Sequence, residues 1–476
     1  MSIRRLRQRL IPWHRRLAWL VVLPILAWSL SGLLHPVMSR WQPSAAAMVV
    51  PASFLAPPSD TAWSDLPAPK QTLPADWLIR EMRAITWQNQ PYWQVQRSDG
   101  LLRQVHAKTG EVADITSAVV TELARHYTGE REAPVNLSLV TEFSNEYGVI
   151  NRYLPVYRVA FDRPDGLIAF VEPRSLQLSG LTDDWKTRFS GFFRAMHNWS
   201  WWPHAPSRAW VMAGLLALAL IVAVSGIARA WPLPAKRKLS RRWHRRIGLL
   251  AALAALAWFS TGALHALVMN KRVGSFETYP LASAFSAAEL SAAVPKDVPQ
   301  GARLQVVASQ DGPLWYWHQL VQATAQEEHA HHGHAAPRTL NAAYFHATTG
   351  DVVDPEAYWL SLAQTAAEQT RLQATKAITG FFPEYGFVQK RLPVQQLRFD
   401  SSDRLTVVVD PADAAVASVV RDLDRFEGLS FAYLHKAQFL DPVIGKDARD
   451  AAAVLFALLI FTLSLIGAVM MWRKAN

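Results

Sequence analysis

Trp13-His14-Arg15-Arg16 opens an apolar run that closes on Ser31-Gly32-Leu33-Leu34-His35, and at an offset of 230 Trp243-His244-Arg245-Arg246 opens another that closes on Thr261-Gly262-Ala263-Leu264-His265. One offset at both ends of a run marks an internal repeat. Working outward, Val105-His106-Ala107-Lys108-Thr109-Gly110-Glu111-Val112 matches Phe345-His346-Ala347-Thr348-Thr349-Gly350-Asp351-Val352. Glu146-Tyr147-Gly148, Leu154-Pro155-Val156 and Phe161-Asp162 return at Glu384, Leu392 and Phe399, all offset by 238. Arg188-Phe189 through His197 matches Arg425-Phe426 through His435, with one inserted residue. Each half therefore reads as span, outer domain, span. Both halves run the same way, which implies a pseudo-two-fold along the membrane normal.

The expected fold is a polytopic membrane protein with four transmembrane helices in two tandem repeats, each carrying an outer α+β domain. Its segments are a basic stretch 1–16, spans 17–39, 208–231, 247–269 and 450–472, outer domains 40–207 and 270–449, a loop 232–246 and a tail 473–476. Apolar runs of about 20 residues are long enough to cross a bilayer. The basic start resembles a signal peptide, with Ala45-Ala46-Ala47 as its best cleavage candidate, but a run of about 22 residues reads as a retained anchor. Trp13, Trp41, Trp210, Trp231, Trp243 and Trp472 fall at the expected interfaces.

The net charge of +11 follows the same map. Residues 1–16 carry six Arg and no acid, residues 229–246 carry eight Lys/Arg and no acid, and Arg473-Lys474 adds two more. The rest of the chain has 33 basic and 38 acidic residues, net −5. The basicity is topological and argues against a nucleic-acid partner. It places both termini in the cytoplasm and both outer domains in the periplasm of a bacterial inner membrane. The chain has no Cys, so disulfides, thiolate zinc sites, Cys-ligated iron–sulfur clusters and a Cys nucleophile are excluded.

Within the outer domains, Tyr92–Arg97 and Leu101–Ala107 alternate as a hairpin turning at Asp99-Gly100, followed by a helix from Ser117 to Tyr127. Pro155–Asp162 and Leu167–Glu172 read as a second hairpin turning near Asp165-Gly166. The second half repeats this at 303–309, 314–322, 341–347, 393–400 and 404–410. Residues 42–75, rich in Pro, Ala and Ser, read as a linker. A His-rich stretch, 325–338, interrupts the second half's first hairpin.

The Thr-Gly-Glu/Asp-Val turns resemble the PepSY domain. Trp-His-Arg-Arg leading into a span that ends in Ser/Thr-Gly-x-Leu-His looks like the PepSY-associated transmembrane helix family, and the resemblance covers both halves. That family includes iron-regulated inner-membrane proteins and ferric-siderophore reductases. The resemblance implies a haem-containing reductase that releases iron from a ferric siderophore or other iron chelate.

Six His occupy repeat-equivalent places at span ends: His14 with His244, His35 with His265, and His197 with His435. Any one of them reads first as an interfacial aromatic. Three pairs kept through a duplication point to metal or haem ligation. His14 and His35 lie about 31 Å apart along one helix, so they serve different sites. Haem suits the pattern better than a bare ion, because facing apolar helices bury a porphyrin and supply two imidazoles. Two bis-His haems b are the expected cofactors. His14 would pair with His244, while the outer four form one haem site, two sites, or one haem plus substrate contacts. Gly32 and Gly262, one turn from the outer His, leave room for a flat macrocycle or for helix packing. Met38, Met196 and Met269 are alternative axial ligands or gap-filling apolar residues.

His329, His331, His332 and His334 form a loose metal-binding candidate without a rigid frame. No catalytic side chain is singled out. Cytoplasmic segments of about 40 residues cannot hold a dinucleotide-binding unit, and no Gly-rich phosphate fingerprint is present. With no flavin or nicotinamide site built in, electrons must come from membrane quinol or a separate donor. The rival expectation is a non-enzymatic membrane accessory whose outer domains bind peptides or partner proteins.

Overall fold

The computed structural model describes residues 3–230, 239–271, 284–322, 338–367, 370–382, 384–386 and 391–475. The first half runs α1 (Ile3–Arg40), α2 (Ala52–Leu55), β1 (Leu78–Trp87), β2 (Gln90–Arg97), β3 (Leu102–His106), β4 (Val112–Ala113) and α3 (Thr116–Thr128). It continues through β5 (Val135–Val140), β6 (Val156–Phe161), β7 (Ile168–Glu172), β8 (Gln177–Thr182), α4 (Asp184–His197) and α5 (Ala205–Ala230). The second half opens with α6 (Leu239–Leu250), α7 (Ala252–Lys271), β9 (Phe285–Ser286), β10 (Arg303–Ser309), β11 (Gly312–Gln322), β12 (Arg338–His346) and α8 (Pro355–Ala367). It ends with β13 (Leu372–Ile378), β14 (Val394–Phe399), β15 (Thr406–Asp410), β16 (Ala415–Val420), α9 (Asp422–Ser430) and α10 (Asp441–Ala475). Phe431–His435 continues α9 as a π-helical turn.

The chain forms two compact units. A helical unit comprises 1–42, 185–274 and 423–476, and a sheet unit comprises 43–184 and 275–422.

In the helical unit, Pro12–Arg40, Ala205–Ala228 and Gln438–Arg473 are each long and apolar enough to cross a membrane. Leu239–Leu250 and Ala252–Val268 pass the same test only as a pair, bent by 62°. The first residues of the expected span 247–269 belong to the amphipathic α6, so the bend falls inside that span. The cause is visible in the sequence of α6, where Arg241, Arg242, Arg245 and Arg246 crowd a single short helix. α1 lies against α5 and α10, α7 against α5, and α6 against α10. Val21, Ile25 and Trp28 of α1 share a core with Leu216 and Ala219 of α5, Phe259 of α7 and Ile460 of α10.

The sheet unit is antiparallel throughout. Its largest sheet runs β12-β11-β10-β1-β2-β3-β4, with β9 also paired to β1. Two four-stranded sheets, β5-β6-β7-β8 and β13-β14-β15-β16, complete it. Alternation assigns the faces of the large sheet. Met82, Trp93, Val95, Leu304, Val306 and Trp315 share one apolar core. On the other face, α3 packs with β6 and β7 around Leu123, Val159 and Val171, and α8 packs with β14 and β15 around Leu362, Leu397 and Val407. Trp93 and Trp315 are fully buried, and truncating either to Ala would cost about 3–5 kcal/mol.

Both hairpins of each half form as the alternation predicts, but β1, β5, β8, β13 and β16 escape it. Residues 42–75 are not a passive linker: Phe54, Trp63, Leu66 and Leu73 are buried in the cores. The two outer domains are also not separate bodies, because β1 pairs with β10 and joins the halves in one sheet. Gly110 shows why the Thr-Gly turn needs glycine. Its φ is +76°, and a Cβ there would stand 2.8 Å from the Thr72 carbonyl oxygen. Residues 325–337 of the His-rich stretch, with His329, His331, His332 and His334, lie outside the described residues.

Candidate functional site

The six repeat-related imidazoles fall into two groups in the helical unit. At the basic end, His14 on α1 turns toward α5: Nδ1 lies 3.1 Å from the Val222 carbonyl oxygen and 2.9 Å from Ser225 Oγ. A carbonyl only accepts, so Nδ1 carries the proton and the lone pair is at Nε2. Its Cε1 stands 3.4 Å from where a Cβ on Gly226 would be. His244 on α6 repeats the glycine contact, against α10, with Cε1 3.3 Å from a Cβ on Gly467. The glycines set against these imidazoles are thus Gly226 and Gly467. Gly32 faces open space, and Gly262 faces a Leu216 methyl at 3.3 Å.

At the other end, two matching stacks form. Phe193 stands 5.1 Å from the His35 ring and stacks on His197 at 4.6 Å. Phe431 stacks on His265 at 4.3 Å and on His435 at 4.5 Å. Ser31 Oγ meets His197 Nδ1 at 3.0 Å while donating to the Ala27 carbonyl at 2.8 Å. Thr261 Oγ1 meets His435 Nδ1 at 3.0 Å while donating to the Ala257 carbonyl at 2.6 Å. Each hydroxyl has given its hydrogen to a carbonyl, so it accepts from Nδ1–H and leaves the lone pair at Nε2. Burial pushes the His197 imidazole down to about 4, with His35 and His265 pushing the same way. Burial pushes His435 down to about 3, with His197, His265, Lys436 and His35 adding to it. His197 and His435 therefore neighbour each other and both His35 and His265, and these two buried imidazoles are neutral at ordinary pH.

His265 differs from His35 in its closer stacking on phenylalanine and in its Nδ1, which lies 2.5 Å from a Glu427 carboxylate oxygen. Ser190, which aligns with Glu427, instead donates to Met38 Sδ at 3.6 Å. Met196 is half exposed, and the side chain of Met269 lies outside those described. His106 is committed to its turn, accepting the Thr109 N–H at 3.2 Å. No group of three or more His, Asp or Glu among the described residues is arranged to hold a metal ion.

The sheet unit holds a second polar site, which sequence reasoning did not find. The β1–β10 register pairs Arg83 with Gln305. Ala84 pairs with Trp93 and Val306 with Trp315 in the two matching hairpins, so Arg83 and Gln305 are repeat equivalents facing each other. The pseudo-two-fold of this unit therefore passes between them. Around it, Asp413 bonds to Arg83 at 3.0 Å and to Arg391, while Glu81 bonds to Arg83 and, at 3.2 Å, to Arg174. The Arg391 guanidinium lies 5.4 Å over Tyr153, its own equivalent at offset 238. Burial raises the Asp413 carboxyl, but Arg391, Arg174 and Arg83 outweigh it and hold the pKa well below the usual range. A cavity of about 210 Å³ opens beside this cluster, lined from both halves by Arg80, Glu81, Arg174, Arg391 and Asp413. The available signal was the aligned pair Glu172-Pro173-Arg174-Ser175 and Asp410-Pro411-Ala412-Asp413, which share an acid-Pro start but carry net charges of 0 and −2.

Apolar helices of membrane-crossing length together with separate antiparallel sheets define a membrane protein with β-rich domains. The family model for the PepSY-associated TM region matches residues 76–474, and the chain belongs to that family. No curated protein and no solved structure matches the chain.

Proposed function

We propose that the chain is a haem-containing reductase of a bacterial inner membrane, passing electrons across the bilayer to a periplasmic ferric chelate such as a ferric siderophore and releasing Fe²⁺. In this reading the bent pair counts as one span, giving four spans in two repeats. The termini are cytoplasmic and the sheet unit is periplasmic. The observation that carries it is the tautomer pattern. His14, His197 and His435 each present Nδ1–H to a carbonyl or hydroxyl oxygen, which leaves Nε2 as the donor. A second-sphere acceptor on Nδ1–H is what orients a metal-ligating imidazole.

His14 and His244 would hold one haem at the basic end, and the outer four would supply ligands for another. Haem, when bound, supplies a one-electron carrier. Gly226 and Gly467 keep side-chain bulk away from the inner imidazoles. Phe193 and Phe431 pack against the outer rings and would limit their rotation. Reducing Fe³⁺ in an oxygen-rich chelate lowers its charge and hardness, so the chelate lets go. The electron donor is membrane quinol or a separate partner.

The test is optical. Purified protein in detergent should show a Soret band that sharpens and shifts on reduction, and reduced protein should transfer electrons to a ferric chelate in the presence of a ferrous-iron indicator. A colourless preparation from haem-replete cells would sink the reading. The rival, a non-enzymatic accessory, is favoured by the charged cavity in the sheet unit, whose paired Arg and carboxylates suit a peptide's polar groups. Peptide binding by a haem-free, full-length protein would turn the decision to it.

A further inference from the structure

The two outer stacks share one ring order, but the second is tighter, holds an inserted residue and carries a carboxylate. Arg425-Phe426-Glu427-Gly428 aligns with Arg188-Phe189-Ser190-Gly191, and the inserted residue falls between Gly428 and Phe431. The π-helical turn Phe431–His435 accommodates the insertion, and His435 still stacks on Phe431 as His197 does on Phe193. Such turns insert one residue into a helix and recur at functional sites. The insertion also changes a spacing. Glu427 and Phe431 stand four apart, on one helix face, where Ser190 and Phe193 stand three apart. As a result both Glu427 and Phe431 reach the same imidazole, His265: the carboxylate at Nδ1 and the ring against the ring face.

Glu427 is 4% exposed, and among the described residues its carboxylate is hydrogen-bonded to His265 alone. A carboxylate buried this deeply costs several kcal/mol unless a partner stabilises it. The nearest cation, Lys436, lies over the Phe431 ring at 5.2 Å and is not bonded to it. His35 has no hydrogen-bonded carboxylate among the described residues; Ser190 is turned to Met38.

We propose that Glu427 is a positioning residue that locks His265 with Nδ1–H toward the carboxylate and makes its Nε2 a stronger electron-pair donor than that of His35. The proposal rests on the haem-reductase reading and adds to it an inequality between the halves. An acceptor carboxylate on Nδ1–H raises the basicity of the opposite nitrogen. A group ligated there has its oxidised state stabilised, so its potential falls. The second half's imidazole would thus hold its ligand in the form poised to give an electron away, on the side where the chelate is reduced.

The test is a redox titration of the full-length protein in detergent, followed by its Soret absorbance. Glu427→Gln keeps the size and an acceptor oxygen and removes only the charge; Glu427→Asp keeps the charge. The Gln variant should raise the midpoint potential of one spectral component tenfold in its one-electron equilibrium, about 59 mV, with the other component unmoved and the Asp variant close to wild type. Ser190→Glu made together with one residue inserted after Gly191, which copies both the carboxylate and the spacing of the second half into the first, should lower the potential by a similar amount. If haem is bound and neither the Gln nor the Glu variant moves any component, the proposal is overturned while the reductase reading stands. A wild-type protein that binds no haem overturns both. Should the Gln variant lose haem, the Ser190→Glu titration decides alone, since an unmoved potential there overturns the assignment.

Discussion

Two regions of this molecule treat its duplication in opposite ways. At the end of the helical unit, equivalents are kept or nearly so: His35 and His265, Phe193 and Phe431, His197 and His435, and Ser31 and Thr261 in the same hydrogen bond. At the β1–β10 junction, equivalents differ: Arg83 meets Gln305, Tyr153 meets Arg391, and Ser175 aligns with Asp413. The difference follows from charge at the places where copies meet. Arg83 faces its own copy across the axis, and two arginines buried there would repel without a counter-charge. His197 and His435 are also neighbours, but burial keeps both neutral, so the same residue is tolerated in each half. Identity between halves is therefore kept where copies meet uncharged and lost where they would meet as like charges.

Breaking the junction should give the largest effect. Asp413→Ala leaves Arg83 and Arg391 short of a buried counter-charge and should cost about 3–5 kcal/mol in denaturant unfolding of the sheet unit. Ser175→Ala, its counterpart, removes one hydroxyl bonded to Glu172 and should cost about 1 kcal/mol. Equal costs would mean that the axis is not the stressed position.

Acid should sharpen the same contrast. The Asp413 pKa is depressed in the folded state, so its stabilisation is complete above an unfolded value of about 3.9 and is lost as pH falls toward the folded value. Wild type should lose sheet-unit stability below about pH 4. Asp413→Asn should show a flatter profile there, measured by near-ultraviolet circular dichroism.

The retained region can be probed with Gly226→Val and Gly467→Val. A Cβ at 3.4 or 3.3 Å from an imidazole carbon leaves no room for further methyls. Each variant should lower bound haem several-fold and affect the same spectral component, as His14→Ala and His244→Ala should. Losses in two different components would separate the inner imidazoles into independent sites. The smallest effect belongs to deletion of 329–334. An element absent from the first half should not be needed by a duplicated core, and ferric-chelate reduction should stay within twofold of wild type; a tenfold loss with intact Soret absorbance would give that loop a part in substrate binding.

Hairpins with Asp-Gly or Thr-Gly turns were legible because alternation and turn chemistry agree, as at Gln90–Arg97 with Leu102–His106. Strands such as β1 were not. Arg80-Glu81-Met82-Arg83 reads as a polar stretch, yet Glu81 and Arg83 are buried because Arg83 is paired with both Glu81 and Asp413. Charge pairing across 330 positions leaves no local trace in the sequence. The six imidazoles were visible through the repeat. Their anchors were not, because Ser225, Gly226 and Gly467 are ordinary residues in apolar helices. Glu427 was hidden for a related reason: it lies in the aligned segment where the halves disagree, and repeat matching rewards agreement.

The bend between α6 and α7 also fixes a depth. α7 has 20 residues, a rise of about 30 Å, which is the thickness of a bilayer's hydrocarbon layer. The four arginines of α6 cannot enter that layer cheaply, and a 62° turn lets the helix leave it sideways. In the proposed topology, Ala251 then marks the cytoplasmic waterline, and His244, seven residues earlier, rides at headgroup level. α1 passes the same boundary as one continuous helix, with Pro12, Pro24 and Pro36 inside it. A thinner or thicker bilayer would thus tilt α1 but reset the angle of α6, moving His244 and leaving His14 fixed to its own helix.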